Sequence, residues 1–257
     1  MINNLIKLAE AAALAGGELI RNYFRQAYTI GSKGPDNPVT SADLEADALL
    51  KTILLDACPD YGWLSEESAD SLARLNKRRV WIVDPLDGTK EFIAGRAEFV
   101  VSIGLVEDGL PILGVLFNPI TNELFSAQTG RGAFLNGKRI HCTQTANLAD
   151  AKLIVSRTEL ADNLWQKYRR HFGTLEPSGS VAYKLTKVAT GIADLHISLK
   201  PKNEWDICAA HCLLNEADAE LIGRDGLPVT YNRKKPIIHS GLIAGNRKLV
   251  EKALNID

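Results

Sequence analysis

The stretch Val80-Trp-Ile-Val-Asp84-Pro-Leu-Asp87-Gly88-Thr89 joins an apolar run to two aspartates that are three residues apart. The β-branched and aromatic residues predict a buried strand, and the Asp, Pro and Gly residues predict a turn at its end. Carboxylates that leave a buried strand need a charge partner, because an unpaired buried ion is strongly destabilising. A divalent cation such as Mg²⁺, which prefers oxygen ligands, would be a suitable charge partner. By itself the stretch is equally consistent with an ordinary turn.

The residues that follow predict a largely antiparallel sheet. Residues 99–106 and 112–117 are short runs rich in β-branched residues, with Asp108-Gly109 as a turn between them. Asn136-Gly137 predicts a tight hairpin within residues 130–140, since both residues accept positive φ angles.

The residues that precede the stretch predict two helices separated by a polar loop at residues 31–38. The first helix is indicated by apolar residues at helical spacing: Leu5, Leu8, Ala12, Leu19 and Phe24. The second begins near Asp43, and its predicted apolar face consists of Leu44, Ala48, Leu49, Ile53 and Leu54.

Strands and helices alternate after residue 145, which predicts an α/β arrangement. Predicted strands lie at residues 152–155, 193–199, 237–238 and 242–243, predicted helices at 163–170, up to Val188 and from Asp206, and a loop at 176–180. We therefore expect an N-terminal α+β lobe, residues 1–145, and a C-terminal α/β lobe, residues 146–257.

Composition excludes several classes of protein. The 257 residues are 46% apolar, and 30 basic residues against 31 acidic ones give a net charge of −1. This balance gives no general reason to bind a nucleic acid polymer or an anionic membrane. Because the sequence has no apolar run long enough for a membrane span, we expect a cytoplasmic protein. The four cysteines form no CxxC pair, and Cys208, His211 and Cys212 among alanines and leucines favour core packing over a zinc site.

The sequence contains two further acidic segments besides the pair Asp84 and Asp87. Ser65-Glu66-Glu67-Ser68 follows a predicted strand at residues 61–64, and Glu204-Trp205-Asp206 begins a predicted helix. Taken singly, the glutamates could form a solvated surface and Asp206 could be an N-cap.

In their order along the chain, these acidic motifs resemble those of the Mg²⁺-dependent, lithium-sensitive phosphatases of the inositol monophosphatase superfamily. The matching positions are Asp43, Glu66-Glu67, Asp84-Pro-Leu-Asp87-Gly-Thr89 and Trp205-Asp206, with Gly130-Arg-Gly-Ala-Phe-Leu-Asn-Gly137 and Gly179-Ser180 in the expected places. The resemblance covers nearly the whole chain. It implies an α/β (α+β) fold, a five-layer αβαβα sandwich, in which the N-terminal lobe carries the metal-binding motifs and the C-terminal lobe supplies Asp206 and substrate contacts.

The resemblance also implies two to three Mg²⁺ ions and inhibition by Li⁺. Glu66, Asp84 and the Leu86 carbonyl would hold one ion, Asp84, Asp87 and Asp206 a second, and a third would lie near Glu66. The implied catalytic residues are Asp43, Glu66 and Thr89, with Thr89 and Asp43 orienting and deprotonating the attacking water.

Asp84-Pro-Leu-Asp-Gly-Thr-Lys90-Glu91-Phe92 is most similar to the CysQ-type 3'(2'),5'-bisphosphate nucleotidases. The implied reaction removes the 3'-phosphate of 3'-phosphoadenosine 5'-phosphate, in sulfur metabolism. Expected substrate contacts are Asp87, Gly88, Thr89, Lys90, Ser156, Arg157, Gly179, Ser180, Lys184 and Asp206. A second phosphate could bind Arg157, Lys184, Lys200 or Lys202.

Two other functions stay open. An inositol or sugar monophosphate phosphatase is less favoured, because His196-Ile-Ser-Leu-Lys200 stands where inositol monophosphatases have an acidic residue. A non-catalytic, metal-binding regulatory module is disfavoured because every expected ligand is present. Covalent hydrolysis would need a nucleophile motif such as GxSxG, which the sequence does not contain. The expected partner is therefore a small phosphorylated molecule such as a nucleoside bisphosphate, and a homodimer is consistent with the resemblance.

Overall fold

The computed structural model describes residues 2–34 and 37–256. Its helices are α1 (Ile2–Tyr23), α2 (Ser41–Ala57), α3 (Thr89–Ile93), α4 (Arg157–Ala161), α5 (Val181–Ala189), α6 (Cys208–Glu216) and α7 (Arg247–Ala253). Short 3₁₀ helices occur at Leu72–Asn76, Leu148–Asp150 and Arg169–His171.

The strands form two large sheets and two short pairs. They are β1 (Ile30–Gly34), β2 (Asn37–Thr40), β3 (Gly62–Ser65), β4 (Arg79–Asp87), β5 (Val100–Glu107), β6 (Leu110–Asn118), β7 (Glu123–Gln128), β8 (Gly132–Leu135), β9 (Lys138–Ile140), β10 (Lys152–Ser156), β11 (Thr174–Ser178), β12 (Leu195–Ser198), β13 (Lys202–Asn203), β14 (Glu220–Gly223), β15 (Ile237–Ile238) and β16 (Leu242–Gly245). The short pairs are β1 with β2 and β13 with β15.

The larger sheet has the strand order β3-β4-β5-β6-β7-β8-β9. Only β3 and β4 are parallel, and every other neighbouring pair is antiparallel, which confirms the predicted sheet. The turn between β8 and β9 has positive φ angles at Asn136 (49°) and Gly137 (77°), as the sequence predicts.

The smaller sheet has the order β11-β10-β12-β16-β14. Strand β10 is parallel to both β11 and β12, whereas β16 is antiparallel to both β12 and β14. Helices connect the parallel strands, as expected for an α/β arrangement.

The elements stack in five layers, so the predicted αβαβα sandwich is confirmed. Helices α1 and α2 pack on one face of the larger sheet, α5 and α6 lie between the sheets, and α4 and α7 contact the outer face of the smaller sheet. Alternate residues of β4 therefore enter different cores: Val80 and Ile82 face α6, and Trp81 and Val83 face α1 and α2. Burial on both faces explains why this strand is a continuous apolar run.

The predicted apolar face of α2 is buried at Leu54 but is wrong near the start of the helix. Leu44 is 52% exposed, whereas Asp43, Ala46, Asp47 and Leu50 are buried. The apolar pattern misleads because two aspartates on the buried face bind neighbouring hydroxyl groups.

Three predicted loops or helices also differ from the structure. The polar stretch at 31–38 forms the hairpin β1–β2, with residues 35 and 36 outside the described residues. Residues 176–178 belong to the edge strand β11, where Pro177 is tolerated. Helix α6 begins two residues after Asp206, at Cys208.

The helix predicted at 163–170 is wrong: turns occupy residues 163–168, between the end of α4 and the 3₁₀ helix Arg169–His171. Asn163 has a φ of 58°, a left-handed conformation that ends a helix. Trp165 then packs edge-on against Tyr168 and Phe172. These aromatic contacts fold the segment back on the sheet.

The two large sheets come from opposite sides of residue 145, but one core contains residues from both, for example Ile82 and Leu185. The division at residue 145 stays a prediction. Within the described residues, no helix combines the length and the apolar character that crossing a membrane requires.

Candidate active site

The end of β4 carries a β-bulge that turns two aspartates towards one place. Asp84 pairs with Ser102 and Asp87 with Val100, so that Pro85 and Leu86 lie opposite one residue of β5. In a regular strand, residues three apart point to opposite faces, and the additional residue of a bulge reverses this. The backbone amide of Leu86 donates to Asp84 Oδ1 at 3.0 Å and holds the turn.

Three carboxylates from remote parts of the chain meet beside this bulge. Oxygen atoms of Glu66, Asp84 and Asp206 all lie within 4.8 Å of one another. Glu66 follows β3, whose parallel neighbour is β4, and Asp206 lies between β13 and α6. The structure thus brings together acidic residues that the sequence separates.

Burial and mutual repulsion raise the pKa values of this cluster. Burial, followed by the charges of Glu66, Asp87 and Asp206, raises the pKa of Asp84 well above its ordinary value. Burial and the charge of Asp87 raise the pKa of Asp206 to about 8. Like charges in a poorly solvated site favour a bound proton or a bound cation.

Asp87 is held by the N-terminus of α5. Its Oδ2 accepts hydrogen bonds from the Ser180 hydroxyl and from the Ala182 backbone amide, the latter at 2.6 Å. Burial raises the pKa of Asp87, and these hydrogen bonds with the charge of Lys184 oppose that rise. Because Oδ2 is engaged in this way, Oδ1 is the oxygen available to a cation.

Thr89 and Asp43 form a hydrogen-bonded pair behind the bulge. Thr89 Oγ1 lies 2.8 Å from Asp43 Oδ1 and 3.2 Å from the Leu86 carbonyl. The amide and hydroxyl of Thr40 donate to Asp43 Oδ2 at 2.8 and 2.5 Å. Burial raises the pKa of Asp43, while the hydrogen bonds from Thr40 and Thr89 oppose the rise.

Gly88 connects β4 to α3 with a φ of 110°. A Cβ atom there would lie 2.9 Å from the Glu98 carbonyl oxygen and 2.9 Å from Phe99 Cβ. Both the backbone angle and the space therefore require glycine, which lets the chain turn from Asp87 into α3 with Thr89 as the first residue of that helix.

These residues open into one cavity, which contains every predicted site residue except the buried Asp43. The predicted residues that line it are Glu66, Asp84, Leu86, Asp87, Gly88, Thr89, Lys90, Ser156, Arg157, Gly179, Ser180, Lys184 and Asp206. Asn37, Pro38, Glu91, Thr158, Ser178 and Val181 line it as well.

Arg157 and Lys184 supply positive charge to this cavity. Arg157 Nη2 donates to Glu98 Oε2 at 2.6 Å, and its Nη1 is buried without a hydrogen-bond partner in the described part of the chain. Lys184 Nζ donates to the Ser180 carbonyl at 2.8 Å. Burial lowers the pKa of Lys184 to about 8, which the charge of Asp87 opposes.

The two other lysines considered for a second phosphate are engaged elsewhere. Lys200 Nζ pairs with Asp162 at 2.6 Å, and Lys202 Nζ donates to the Pro201 carbonyl at 3.0 Å. Neither is among the residues that line the cavity within the described ranges.

Sequence reasoning missed two residues that contact the acidic segment. Lys33 Nζ lies 2.5 Å from Glu66 Oε1 and 2.7 Å from Glu67 Oε1. Asp47 accepts hydrogen bonds from the hydroxyls of Ser65 and Ser68, on either side of the two glutamates. The spacing of Asp43 and Asp47 by one helical turn was the available signal, whereas nothing local marked Lys33.

The donor set fits a hard divalent cation. The cluster offers carboxylate oxygens, and the Leu86 carbonyl lines the same cavity. Oxygen-only donors with high negative charge match Mg²⁺ better than metals that prefer nitrogen or sulfur.

The five-layer fold, with a carboxylate cluster and basic side chains in one cavity, defines a metal-dependent phosphatase. The family model of the inositol monophosphatase family matches residues 1–255, and the chain belongs to that family. The resemblance inferred from the motifs is therefore confirmed.

Relatives with different names are about equally similar to this chain. The chain is 32% identical over 240 residues to "Inositol monophosphatase 2" of Solanum lycopersicum, covering 88% of this chain and 89% of the relative. It is 31% identical over 243 residues to "3'(2'),5'-bisphosphate nucleotidase CysQ" of Escherichia coli K12, covering 92% and 97%. The crystal structure of the extragenic suppressor protein suhB from Bartonella henselae matches with a TM-score of 0.85 and 28% identity, covering 98% of each chain.

Proposed function

We propose that this protein is a Mg²⁺-dependent phosphomonoesterase that removes the 3'-phosphate of 3'-phosphoadenosine 5'-phosphate. The observation that carries the proposal is the single cavity in which the carboxylate cluster and Arg157 lie together. A bisphosphate would present one phosphate to the metal ions and the other to a guanidinium group, which matches phosphate in shape and charge.

Glu66, Asp84, Asp87, Asp206 and the Leu86 carbonyl would hold the Mg²⁺ ions. When bound, the ions would neutralise phosphate charge and make a water molecule more acidic. The hydrogen bonds from Ser180 and Ala182 orient Asp87 before any ion binds. Such preorganisation lets the carboxylates act without rearrangement.

Thr89 and Asp43 provide a path for the proton of the attacking water. The Thr89 hydroxyl donates to Asp43 and keeps its lone pairs available to accept a hydrogen bond from water. Burial raises the pKa of Asp43, which makes its carboxylate a better proton acceptor than a solvated one. Glu66, which lines the same cavity, would help to orient this water.

The second phosphate would bind between Arg157 and Lys90. The ion pair with Glu98 fixes the Arg157 side chain, leaving Nη1 to donate to a phosphate oxygen. Lys90 is exposed at the same cavity and can approach the ligand from solvent. Lys184 is held by two backbone carbonyls and would act mainly through its charge.

An inositol or sugar monophosphate phosphatase is the second candidate, supported by the similarity to the tomato relative. A monophosphate would need the carboxylate cluster but gain little from Arg157. The two functions therefore differ in how much they depend on this side chain.

The test is phosphate release from 3'-phosphoadenosine 5'-phosphate and from inositol 1-phosphate, each with and without Mg²⁺ and Li⁺. We expect faster turnover of the bisphosphate, dependence on Mg²⁺ and inhibition by Li⁺. Asp84→Asn should abolish turnover of both substrates while the fold is retained, because it removes a metal ligand and keeps the side-chain volume. Activity in this variant would contradict the metal site.

A second pair of variants tests the substrate. Arg157→Ala should raise the KM for the bisphosphate roughly 10-fold, the typical value of one charge-assisted phosphate contact, with little effect on the monophosphate. Arg247→Ala is the matched control, because Arg247 lies on α7 and pairs with Glu251. Preference for inositol 1-phosphate, unaffected by Arg157→Ala, would favour the second candidate.

A further inference from the structure

We infer that Arg74 and Glu204 are positioning residues of the carboxylate cluster, because they connect the segment after Glu66 to the segment before Asp206. This inference rests on the proposed function only in that the cluster binds a divalent cation. It does not depend on which phosphate ester is hydrolysed.

The cluster requires such a connection because its members repel one another. Glu66 follows β3, which is the edge strand of the larger sheet, and Asp206 lies in a connection outside both large sheets. Their carboxylate oxygens nevertheless lie within 4.8 Å of each other. When neither a cation nor a proton is bound, the carboxylates repel one another at that distance, and contacts elsewhere must hold the two segments together.

Arg74 connects the segment that follows Glu66 to the loop at residues 232–233. It is a buried residue of the 3₁₀ helix Leu72–Asn76, and its guanidinium group holds Asp70 through two hydrogen bonds of 2.6 and 2.8 Å. The same group donates to Asn232 Oδ1 at 2.7 Å and to the Arg233 carbonyl at 3.0 Å. Asn232 Nδ2 donates back to the Arg74 carbonyl at 3.1 Å.

Glu204, two residues before Asp206, binds the same loop at residues 232–233. Its buried carboxylate accepts the backbone amides of Asn232 at 2.7 Å and Arg233 at 2.9 Å. The Glu204 carbonyl accepts the amide of Cys208 at 3.0 Å, so the backbone on both sides of Asp206 is held. We call Asp70, Arg74, Asn232, Arg233 and Glu204 the Asn232 bridge.

The buried charged residues of the Asn232 bridge indicate that it fixes the relative positions of two segments and does not only stabilise the fold. A buried carboxylate and a buried guanidinium are costly to desolvate, and well-packed apolar residues often stabilise a fold as well or better. Apolar contacts, however, do not fix the distance between two segments as hydrogen bonds do. The bridge therefore determines how far Asp206 lies from Glu66.

The closing experiment measures cation binding without turnover. Mn²⁺ binding to the full chain, followed by electron paramagnetic resonance in the absence of substrate, gives a dissociation constant for each variant. In Glu204→Gln one of the two amides loses its acceptor, and we expect the Mn²⁺ dissociation constant to rise roughly 10-fold, as for other groups that support metal ligands.

Glu216→Gln is the matched control. Glu216 also accepts two backbone amides, from Gly130 at 2.8 Å and Gly132 at 2.6 Å, but these belong to the β7–β8 turn. Each variant removes the acceptor of one backbone amide, and the Tm in the presence of a chelator measures the stability that each change costs. Only Glu204→Gln should weaken Mn²⁺ binding.

Asn232→Gly keeps the inference testable if Glu204→Gln does not fold. Asn232 has a φ of 59°, which glycine adopts without strain, and the amides held by Glu204 remain. We expect weaker Mn²⁺ binding in this variant and partial recovery in Asn232→Asp, which restores the acceptor for Arg74 but not the donor to the Arg74 carbonyl. Wild-type Mn²⁺ affinity in both Glu204→Gln and Asn232→Gly would overturn the inference, whereas failure of the wild-type protein to bind Mn²⁺ would overturn the proposed metal site and the inference with it.

Discussion

The two oxygen atoms of Asp43 have different partners. Oδ2 accepts two hydrogen bonds from Thr40, which fix the carboxylate at the start of α2, and Oδ1 accepts one from the Thr89 hydroxyl. The first pair positions the carboxylate, and the second contact faces the cavity. This arrangement separates the structural function of Asp43 from its proposed chemical function.

Thr89→Val should lower kcat about 100-fold or more with little change in KM, because it removes the hydroxyl through which the water would be deprotonated and keeps the side-chain shape. Steady-state phosphate release at saturating Mg²⁺ measures both constants. Thr89→Ser is the control, since it retains the hydroxyl and should keep most of the activity. Equal kcat values for the valine variant and the wild-type protein would contradict the proton path.

At the scale of single elements, the junction of β4 and α3 positions both the proposed metal ligands Asp84 and Asp87 and the proposed water-orienting residue Thr89. The bulge at Pro85 and Leu86 directs Asp84 and Asp87 to one side, and Gly88 is the N-cap of α3, so that Thr89 reaches Asp43. A shift of this junction would move metal ligands and the proposed proton acceptor together.

Gly88→Ala should therefore affect both stability and activity. The positive φ costs about 1–2 kcal/mol in a non-glycine residue, and overlap with the Glu98 carbonyl and Phe99 adds about 1–3 kcal/mol. Urea unfolding and kcat measure the two effects, and kcat should fall as well.

Gly130→Ala separates the backbone effect from the overlap. Gly130 has a φ of 75° and no atom within 4 Å of the position of a Cβ. It should lose only about 1–2 kcal/mol and keep the wild-type kcat. If the two variants were equally stable, close packing at Gly88 would not matter.

At the scale of the whole molecule, the acidic cluster couples folding to pH. The pKa of Asp206 is raised to about 8 and that of Asp84 is also raised, so the folded state binds protons more tightly than the unfolded chain. Stability from these groups is present below the ordinary aspartate pKa of about 3.9 and is lost as pH rises towards about 8. A cation that replaces the protons should restore it.

Without divalent cations, the Tm should therefore fall between about pH 5.5 and about pH 8.5, and the gain in Tm from Mg²⁺ should be larger at the higher pH. At 100 times its dissociation constant, Mg²⁺ should add about 2.7 kcal/mol to the free energy of unfolding. Differential scanning calorimetry in chelator and in Mg²⁺ measures both.

Asp84→Asn provides the control for this prediction. The variant removes one of the repelling charges, so it should be more stable than the wild-type protein in chelator at the higher pH. It should also gain less from Mg²⁺. A gain from Mg²⁺ that is the same at both pH values would show that the cluster is not the site of the effect.

The sequence by itself determined the parts of the fold and site that depend on near neighbours. Continuous apolar runs predicted strands such as β4 and β5, because both faces of the larger sheet are covered. The motifs at Asp84–Thr89, Glu66 and Asp206 were ambiguous singly, but their order resembles the family pattern, and that resemblance implied the acidic cluster.

The tertiary structure alone decided what depends on contacts between distant segments. The buried face of α2 was misjudged because Asp47 is stabilised by serines of another segment, and the helix predicted at 163–170 is absent because aromatic packing on the sheet overrides helical periodicity. Lys33 and Glu204 could not be assigned a role, since their partners are far away in the sequence. The local sequence pattern indicates secondary-structure propensity and burial. Hydrogen bonds between remote segments, however, form only when the layers of the fold have packed together.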